Sequence, residues 1–574
     1  MQEIKYCFIL TIALISLSLK SAARIFPSEG IRLNYTQIMF EYNPVFGANE
    51  YRIHIFPQTK FGGNDTNREI IIRNHTLAII VDNALEFGEN YKWYYEAYQS
   101  NNKLKTSDEF FFGINPCLFV DSNRYKFSVT QYDSIALTNN ILFLDQLGIA
   151  VNRKGKPVWF LPNERKSTYR NIAMSSNGTI TLLQDNDCIE KDLLGNVIWL
   201  APNDGKVSGD SAEYYHHDFA KLKDGTFFTS SYIFDKTINP FNTKAFIKIR
   251  YNTLIQYDVN KKVLWSWNEK NFIDSKTMFA GILKDQTESA GTHLNSFFVD
   301  EKNNCILTSY RNDSRIAMID KKTGLFKYQF TGKNDTLLPE SVLAVDFSKQ
   351  HHATILKNGN IMFYNNNVDF INTNGNAVFP HVMIINPPTK VKKAEIVWDY
   401  ECGTNAFPKG VNGKEGFAKE LPNGNILISM GGANRSFEVT RNKKIVWECF
   451  FEKLDATTNT WQPVNNYRTN FTSSLYPQYY TVDMGVVADS ISLKNHVIKI
   501  NNEGTEDDIY QINIFDADQK TILMSSNISV KNRSAKSVKI QLNKKIKNLQ
   551  PIYVEIFPLN NKEYAYNSKL IALN

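Results

Sequence analysis

The chain has 574 residues, which is too long for a single hydrophobic core and is typical of three or four domains. Hydrophobic residues at 43% and charged residues at 21% are ordinary for a globular protein, while 28 Tyr and 38 Phe favour β structure. The net charge of +7 is mild and no block of Lys and Arg occurs, which argues against a nucleic-acid partner.

Residues 1–23 are predicted to be a cleaved signal peptide. Lys5 precedes an apolar run that ends at Leu19, and the small residues Ser-Ala-Ala at 21–23 suit a cleavage site. The run is short for a membrane span, and no later segment reaches spanning length. We therefore expect a secreted or periplasmic protein with no membrane span, and an uncleaved anchor is the alternative.

Five cysteines follow the predicted signal peptide. No CxxC pair occurs among them, so a zinc cluster has no support, and their wide spacing does not suit a disulfide scaffold. One or two disulfide bridges are left open, with no pairing indicated. The residues are Cys117, Cys188, Cys305, Cys402 and Cys449.

Residues 24–115 are predicted to form an N-terminal β-sandwich. Short alternating runs are separated by turn residues at intervals that suit such a domain. The runs "VFGANEYRIHIF" and "FGENYKWYYEAY" resemble those of a fibronectin type III module.

Residues 116–478 repeat one pattern six times. An Asn-Gly or Asp-Gly turn opens a hydrophobic strand, further strands follow, and the last strand usually carries Trp. Intervals of roughly 40 to 70 residues suit about four strands in each unit. We therefore predict a six-bladed β-propeller, with a solenoid or two sandwiches as the alternatives. The closing aromatic residues are Trp159, Trp199, Trp265, Tyr328, Trp398 and Trp447.

Residues 479–574 return to short strands with polar turns, such as "IYQINIF" and "IYVEIF", and are predicted to form a C-terminal β-sandwich. The predicted fold class is therefore all-β, with a propeller between two flanking sandwiches.

Histidines recur at one position of the repeat. Counting back eight residues from the turn glycine reaches His217 in "HHDFAKLKDG" and His351 in "QHHATILKNG", and His293 precedes the turn "DEKNN" at nearly the same phase. Because the innermost strands of a propeller line its axial channel, we expect these three side chains to converge near the axis. Their neighbours His216 and His352 would point the opposite way if the backbone is extended. The remaining histidines are predicted to be structural: His54, His75, His381 and His496.

Two polar residues accompany the strand that follows His293. Arg311 offers planar donors that match a tetrahedral oxyanion, and Asn295 offers an amide hydrogen to the same anion. Neutral imidazole is a nucleophile and a proton shuttle near neutral pH. These groups together suit the transfer of an anionic group. No carboxylate pair shares the repeat position of the histidines, which argues against glycoside hydrolysis. Serine hydrolysis and P-loop chemistry have no support, because neither a G-x-S-x-G nor a P-loop sequence occurs.

These motifs resemble those of the bacterial arylsulfotransferase family, also called aryl-sulfate sulfotransferases. The resemblance covers about residues 24–478. It rests on "HHDF" before "LKDG", on "HLNS" followed by Arg311, on "QHHA" before "LKNGN", on "LPNGNILISMGG", and on the closing segment "NNYRTNFTSSLYP".

The resemblance implies a propeller enzyme that works outside the cytoplasm. Such an enzyme moves a sulfuryl group from a phenolic sulfate ester to a phenol acceptor through a sulfated histidine, without the nucleotide donor PAPS and with no cofactor or metal. Carried over, His351 is the nucleophile, and His293, Asn295 and Arg311 complete the catalytic group. His217 is the remaining channel histidine, with the adjacent histidine at 216 as the alternative. A homodimer is left open.

Two other functions stay compatible with the sequence. The same histidines could hold a metal, although a neighbouring arginine would repel the ion. A secreted propeller between two sandwiches also suits a non-catalytic binding module, which would need no cluster of histidines with an arginine.

Overall fold

The computed structural model describes residues 25–570 except 46, 60–64, 139, 163–166, 274–277, 279–286, 290, 333–345, 370–377, 390–393, 404–414, 484–496, 517, 520, 540–551 and 563–564. The predicted signal peptide and His496 lie outside the described residues. The described chain is all-β, which confirms the predicted class. Within these ranges no helix has the length and apolar character that crossing a membrane requires. Short 3-10 helices occur at Thr66–Arg68, Leu118–Val120, Asp145–Leu147, Glu269–Asn271 and Gly431–Ala433.

The N-terminal residues form a six-stranded sheet and a two-stranded sheet. The strands are β1 (Ile31–Leu33), β2 (Ile38–Glu41), β3 (Glu50–Pro57), β4 (Ile70–Asn74), β5 (Ala78–Val81), β6 (Asn90–Gln99), β7 (Asn102–Thr106) and β8 (Phe110–Ile114). The larger sheet has the order β1-β8-β6-β3-β4 with β7 beside β6, and β2 pairs with β5. Phe40 of the small sheet meets Trp93 of the large one edge to face at 5.1 Å, so both sheets bury aromatic rings in one core.

Six further sheets follow, each with at least four strands. Their strands are β9 (Tyr125–Tyr132), β10 (Ile141–Leu144), β11 (Ile149–Val151), β12 (Pro157–Phe160), β13 (Tyr169–Met174), β14 (Ile180–Gln184), β15 (Asp187–Lys191), β16 (Val197–Leu200), β17 (Phe219–Lys221), β18 (Phe227–Asn239), β19 (Asn242–Tyr257), β20 (Val263–Asn268), β21 (Glu288–Ser289), β22 (Leu294–Asp300), β23 (Cys305–Tyr310), β24 (Arg315–Asp320), β25 (Phe326–Thr331), β26 (His351–Ile355), β27 (Ile361–Asn365), β28 (His381–Asn386), β29 (Glu395–Glu401), β30 (Phe417–Glu420), β31 (Ile426–Ser429), β32 (Arg435–Val439), β33 (Ile445–Asp455), β34 (Thr460–Pro463) and β35 (Phe471–Thr472).

Most of these sheets consist of consecutive antiparallel strands. The second to fifth sheets are β13-β14-β15-β16, β17-β18-β19-β20 with β21 beside β19, β22-β23-β24-β25, and β26-β27-β28-β29. The sixth is β30-β31-β32-β33-β34 with β9 beside β33. The first sheet has the order β12-β11-β10-β35, so its fourth strand comes from the far end of the repeat region.

Each of the six sheets shares a buried core with its neighbour. Leu307 of the fourth sheet and Phe363 of the fifth lie in one such cluster, for example. The sixth and first sheets are joined in the same way, because Leu427 and Leu142 belong to a single cluster. Packing contacts therefore run from sheet to sheet and from the last sheet back to the first.

A tryptophan hydrogen bond repeats between neighbouring sheets. The closing aromatic residues predicted from the sequence lie on the fourth strand of their unit or, for Trp159, on the edge strand β12 of the first sheet, and several donate an indole hydrogen to a turn of the following sheet. The donor–acceptor pairs, with their Nε1–O distances, are Trp159–Leu193 (2.8 Å), Trp265–Lys321 (2.9 Å), Trp398–Arg441 (2.9 Å) and Trp447–Arg153 (2.7 Å). The last pair joins the sixth sheet to the first.

The C-terminal residues form two more sheets around a separate core. The strands are β36 (Tyr480–Asp483), β37 (Val497–Asn502), β38 (Asp508–Phe515), β39 (Ile522–Val530), β40 (Ser534–Lys539), β41 (Ile552–Pro558) and β42 (Tyr566–Leu570). Their orders are β36-β37-β40 and β39-β38-β41-β42, and both sheets contribute to one apolar cluster. The five described cysteines of the whole chain are all free and buried.

Candidate active site

The backbone near the repeated histidine position is not extended. His217 and His293 have φ angles of +55° and +59°, in the left-handed region that non-glycine residues rarely adopt. Each lies just before the first strand of its sheet. The condition under which His216 would point away, an extended backbone, is therefore not met at His217, and the Nδ1 atoms of the two rings lie 2.8 Å apart.

Hydrogen bonds fix the tautomers of three imidazoles in a row. His216 Nε2 lies 3.1 Å from the carbonyl oxygen of Ser231, so this nitrogen carries the hydrogen and Nδ1 is an acceptor. His217 therefore donates from its Nδ1 to His216 Nδ1 over 2.8 Å. The Nε2 atom of His217 is left as an acceptor, 3.1 Å from His293 Nε2. The proton between these two Nε2 atoms belongs to His293.

His351 is held by its Nδ1 atom. This nitrogen lies 3.1 Å from the carbonyl oxygen of Lys349. The Asn366 amide nitrogen is also close, at 2.9 Å, but its two hydrogens are taken by the carbonyls of Lys349 (2.7 Å) and Glu415 (3.0 Å). His351 Nδ1 therefore carries the hydrogen. Its Nε2 keeps a lone pair and has no hydrogen-bond partner among the residues the structure describes.

Burial keeps these histidines neutral. It holds the pKa of His217 and of His351 well below the ordinary value, with neighbouring histidines adding to the effect at His217 and the Arg311 guanidinium adding to it at His351. Burial and Arg311 together lower the pKa of His293 to about 4. All three imidazoles are therefore uncharged at neutral pH, which is the state that a nucleophile or a general base requires.

Arg311 and Asn295 reach the site through the fourth sheet. The backbone N–H of Arg311 donates to the carbonyl of His293 at 2.9 Å, which places this arginine directly after β23 and beside the histidine. The Asn295 amide donates to the carbonyl of Gln350 at 2.7 Å and so ties the strand of His293 to the residue before His351. This bond positions His351, and the anion-binding role of Asn295 stays a prediction.

A buried ion pair between Arg468 and Asp218, which directly follows His217 in the chain, was not predicted from the sequence. Arg468 donates to Asp218 at 2.8 Å and to the carbonyl of Asn295 at 3.1 Å. Asp218 also accepts from the Asn171 amide and from the backbone of Phe297. Arg468 and Asp218 are 3% and 5% exposed, so this pair is inaccessible to solvent. The signals were present, since Asp218 follows the two histidines in "HHDF" and Arg468 lies in the closing segment.

Arg170 is a further cation that the sequence analysis missed. It precedes Gly178 by eight residues, the spacing that selects His217 and His351, so the same count would have found it. Its charge adds to the lowering of the pKa of His217, after burial and the neighbouring histidines. Arg170 is exposed, unlike Arg468, and therefore remains accessible to a ligand.

The other histidines lie in separate contacts. His352 Nδ1 is 2.9 Å from the carbonyl of Ala418, which directs this ring to the sixth sheet. His54 contacts Glu69, His75 contacts a backbone carbonyl and His381 contacts Asp399. Among the described residues, no group of three or more His, Cys, Asp and Glu has the geometry to hold a metal ion.

A family model described as Arylsulfotransferase (ASST) matches residues 124–480, which is more than half of the chain. The chain belongs to the arylsulfotransferase family. The resemblance stated from the motifs is thereby confirmed. Membership supports aryl sulfotransferase activity in general and implies aryl donor and acceptor substrates.

Solved structures share only a distant likeness with this family member. A protein of unknown function from Bacteroides caccae is 13% identical, with 58% of this chain and 99% of that chain covered and a TM-score of 0.37. Virginiamycin B lyase from Staphylococcus aureus is 11% identical, with 56% and 88% covered and a TM-score of 0.30. A search of curated proteins finds no match.

Proposed function

We propose that this protein transfers a sulfuryl group from a phenolic sulfate ester to a phenol, independently of PAPS, through sulfated His351. One observation carries the proposal. A neutral histidine with a free Nε2 lone pair lies within electrostatic range of the half-buried Arg311 and of His293, which is hydrogen-bonded to His217. A nucleophile, an oxyanion-binding cation and a proton shuttle are the groups that sulfuryl transfer requires.

We also propose that the six sheets are the blades of a propeller between two sandwiches. The shared cores, the repeated indole bonds and the contribution of β35 to the first sheet support this arrangement. In a propeller, the innermost strand of each sheet lines a central channel. This arrangement accounts for the electrostatic effects among His217, His293 and His351, which belong to three successive sheets. The proposed domains are 24–115, 116–478 and 479–574, after secretion by a signal peptide at 1–23.

The first half of the reaction forms the covalent intermediate. His351 Nε2 donates its lone pair to sulfur, and the bond from sulfur to the phenolic oxygen breaks with its electrons leaving on that oxygen. Arg311 neutralises charge on the sulfuryl oxygens, as cations do in the parallel case of phosphoryl transfer. The Nδ1–H bond to the Lys349 carbonyl holds the imidazole in the tautomer that attacks and stabilises the positive charge that the ring gains.

The second half returns the sulfuryl group to a phenol. The acceptor oxygen attacks sulfur, the bond from sulfur to His351 Nε2 breaks, and the acceptor proton passes to the neutral His217–His293 pair. The pair is charged only transiently, because its pKa lies below neutrality, and it passes the proton on to solvent; a donor whose phenolate requires protonation receives one back through the same pair. Protons therefore balance over successive turnovers without any cofactor.

The covalent intermediate can be tested directly. We expect protein incubated with 4-nitrophenyl sulfate alone, then quenched without acid and digested, to yield a sulfated peptide that contains His351. The added group should disappear when phenol is supplied before the quench. Transfer to phenol that proceeds with no sulfated peptide, or with the label on a different residue, would overturn the mechanism. If no donor in a broad panel of aryl sulfates released its phenol, the result would instead favour the non-catalytic binding module.

The pH dependence of the donor reaction gives a second test. We expect kcat/KM for 4-nitrophenyl sulfate to stay level from about pH 8 to about pH 6, since a nitrophenolate leaves without protonation and the pKa of His351 lies well below its ordinary value. An imidazole is protonated only below its own pKa, so the rate should fall only at more acidic pH. A fall centred near pH 6.5, the value of an unperturbed histidine, would contradict a buried neutral nucleophile.

A further inference from the structure

A long ribbon formed by β18 and β19 extends from the third sheet beside the histidines, and the short strand β21 pairs with β19 at Lys248 and Ile249. The pairing of β17 with β18 ends at Thr229. The pairing of β18 with β19 continues further, from the pair Phe227–Tyr257 to the pair Ile238–Phe246 and beyond. At about 3.4 Å per residue, the segment from Tyr232 to Ile238 reaches about 20 Å beyond the site.

The back of this ribbon is packed. Ile233, Ile247 and Ile249 lie in one apolar cluster with Tyr251 and Met278. Since successive side chains of a strand point to opposite faces, the even-numbered residues of β18 and their partners form the front. The front is therefore a defined surface on a rigid support.

The inner part of the front is continuous with the candidate site. The ring of Tyr232 stacks on the ring of His216, with centroids 3.6 Å apart and planes at 11°. The guanidinium of Arg250 lies 4.7 Å from the same tyrosine ring. A substrate bound among the histidines thus meets the beginning of the ribbon.

The outer part alternates cations with apolar side chains. Lys248 lies 3.6 Å from the centroid of the Phe234 ring, and Lys236 lies 4.8 Å from that of Phe246. Ile238 and Phe246 form the outermost cross-strand pair on the front and are 53% and 58% exposed. Pairs along one face of a strand are about 7 Å apart, so charge and apolar surface alternate at that interval.

Two lysines oppose each other on this face. Lys236 and Lys248 are direct cross-strand partners, an arrangement of like charges that destabilises an antiparallel pair. Neither forms a salt bridge within 4 Å in the described parts of the chain, although the Lys248 charge acts at longer range on Asp210, where it helps to lower the pKa of that carboxyl after the hydrogen bonds from Tyr214 and Ser211.

Lys248 leans inward over Phe234 and Lys236 leans outward over Phe246, so the two charges are spread along the front. An extended ligand with several anionic groups would offset both charges, and the adjoining phenylalanines would contact its apolar or aromatic parts.

We propose that the front of this ribbon binds the part of the substrate that extends beyond the reacting phenol, and that the acceptor is an elongated phenol bearing negative charges. This inference rests on the proposed sulfuryl transfer, since it assigns the substrate class of the same site. The ribbon then selects acceptors by the negative charge that they carry beyond the reacting phenol, where the acceptor would lie along the front between Phe234 and Ile238.

The test compares acceptors of equal length. With 4-nitrophenyl sulfate as donor, we expect a tyrosine linked to four glutamates to have a kcat/KM about tenfold above that of a tyrosine linked to four glutamines, and this preference should shrink at high salt. A tyrosine linked to four O-sulfoserines shows whether sulfate esters or carboxylates are the preferred anion. The double variant Lys236→Ala/Lys248→Ala should lose the preference for charge while its kcat/KM with phenol stays unchanged.

A matched control comes from the opposite end of the same sheet. Lys223 and Lys262 are exposed in the β17–β18 and β19–β20 turns, and the double variant Lys223→Ala/Lys262→Ala should keep the full preference. Equal rates with the charged and neutral acceptors, or an equal loss in both double variants, would overturn the inference while transfer to phenol continues. Failure of the proposed function itself would be distinct, because no acceptor, phenol included, would then be sulfated.

Discussion

Replacement of His351 by asparagine is expected to lower kcat/KM for sulfuryl transfer by about a thousandfold or more. An asparagine side chain keeps a polar group of similar size but has no lone pair of imidazole basicity to form the covalent bond to sulfur. The neighbouring cations would still bind the donor, so the loss should appear mainly in kcat. Steady-state release of nitrophenol from 4-nitrophenyl sulfate, with phenol as acceptor, measures both constants.

The same substitution at His381 provides the control. This histidine contacts Asp399 on an outer strand of the fifth sheet, away from the cluster, and His381→Asn should leave kcat within about twofold of the original protein. Retention of more than a tenth of the activity by His351→Asn would rule out this residue as the nucleophile, provided that both variants unfold at similar temperatures.

Replacement of Arg468 by methionine is expected to lower the free energy of unfolding by about 3–5 kcal/mol. The substitution leaves the Asp218 carboxylate buried without the cation that lies 2.8 Å away, and an uncompensated buried charge is costly. It also removes the bond to the Asn295 carbonyl. Denaturation in urea, followed by tryptophan fluorescence, measures the change.

Two comparisons separate the charge effect from packing. The double variant Asp218→Asn/Arg468→Met removes both charges and should regain much of the lost stability, because the penalty belongs to the unpaired carboxylate. Arg441→Met breaks a more exposed pair with Glu420 and should cost at most about 1 kcal/mol. Equal losses from the two single arginine variants would show that the buried pair contributes no more than a surface one.

The repeat pattern predicted most of the strands because it depends on local rules. Turn residues, alternation and a closing aromatic recur within each unit, and side chains such as Trp199 and Trp447 lie on the fourth strands as the pattern requires. The count from the turn glycine also placed His217 at the site, since equivalent residues of similar sheets occupy equivalent positions.

Arg468 and the orientation of His216 were not predicted, because they depend on contacts between residues far apart in the chain and on backbone angles that residue spacing does not report. Arg468 follows the last unit, and its neighbour Tyr467 donates a backbone hydrogen to Asp145, a residue 322 positions earlier. The orientation of His216 depends on the φ angle at His217, which hydrophobic patterning does not report. Local sequence therefore indicated which residues could react, while distant contacts and backbone kinks decided how they meet.

The late position of β35 in the chain means that the first sheet is completed only near the end of the synthesis of the repeat region. Ile141 and Leu142 of β10 pair with Thr472 and Phe471, so a nascent chain exposes that edge of its first sheet until almost the whole repeat region has left the ribosome. An unpaired edge attracts strands of other molecules, and pairing over so great a sequence separation is slow. Because Arg468 lies only three residues before β35, its ion pair with Asp218 becomes possible at about the same stage of synthesis as the pairing that covers this edge.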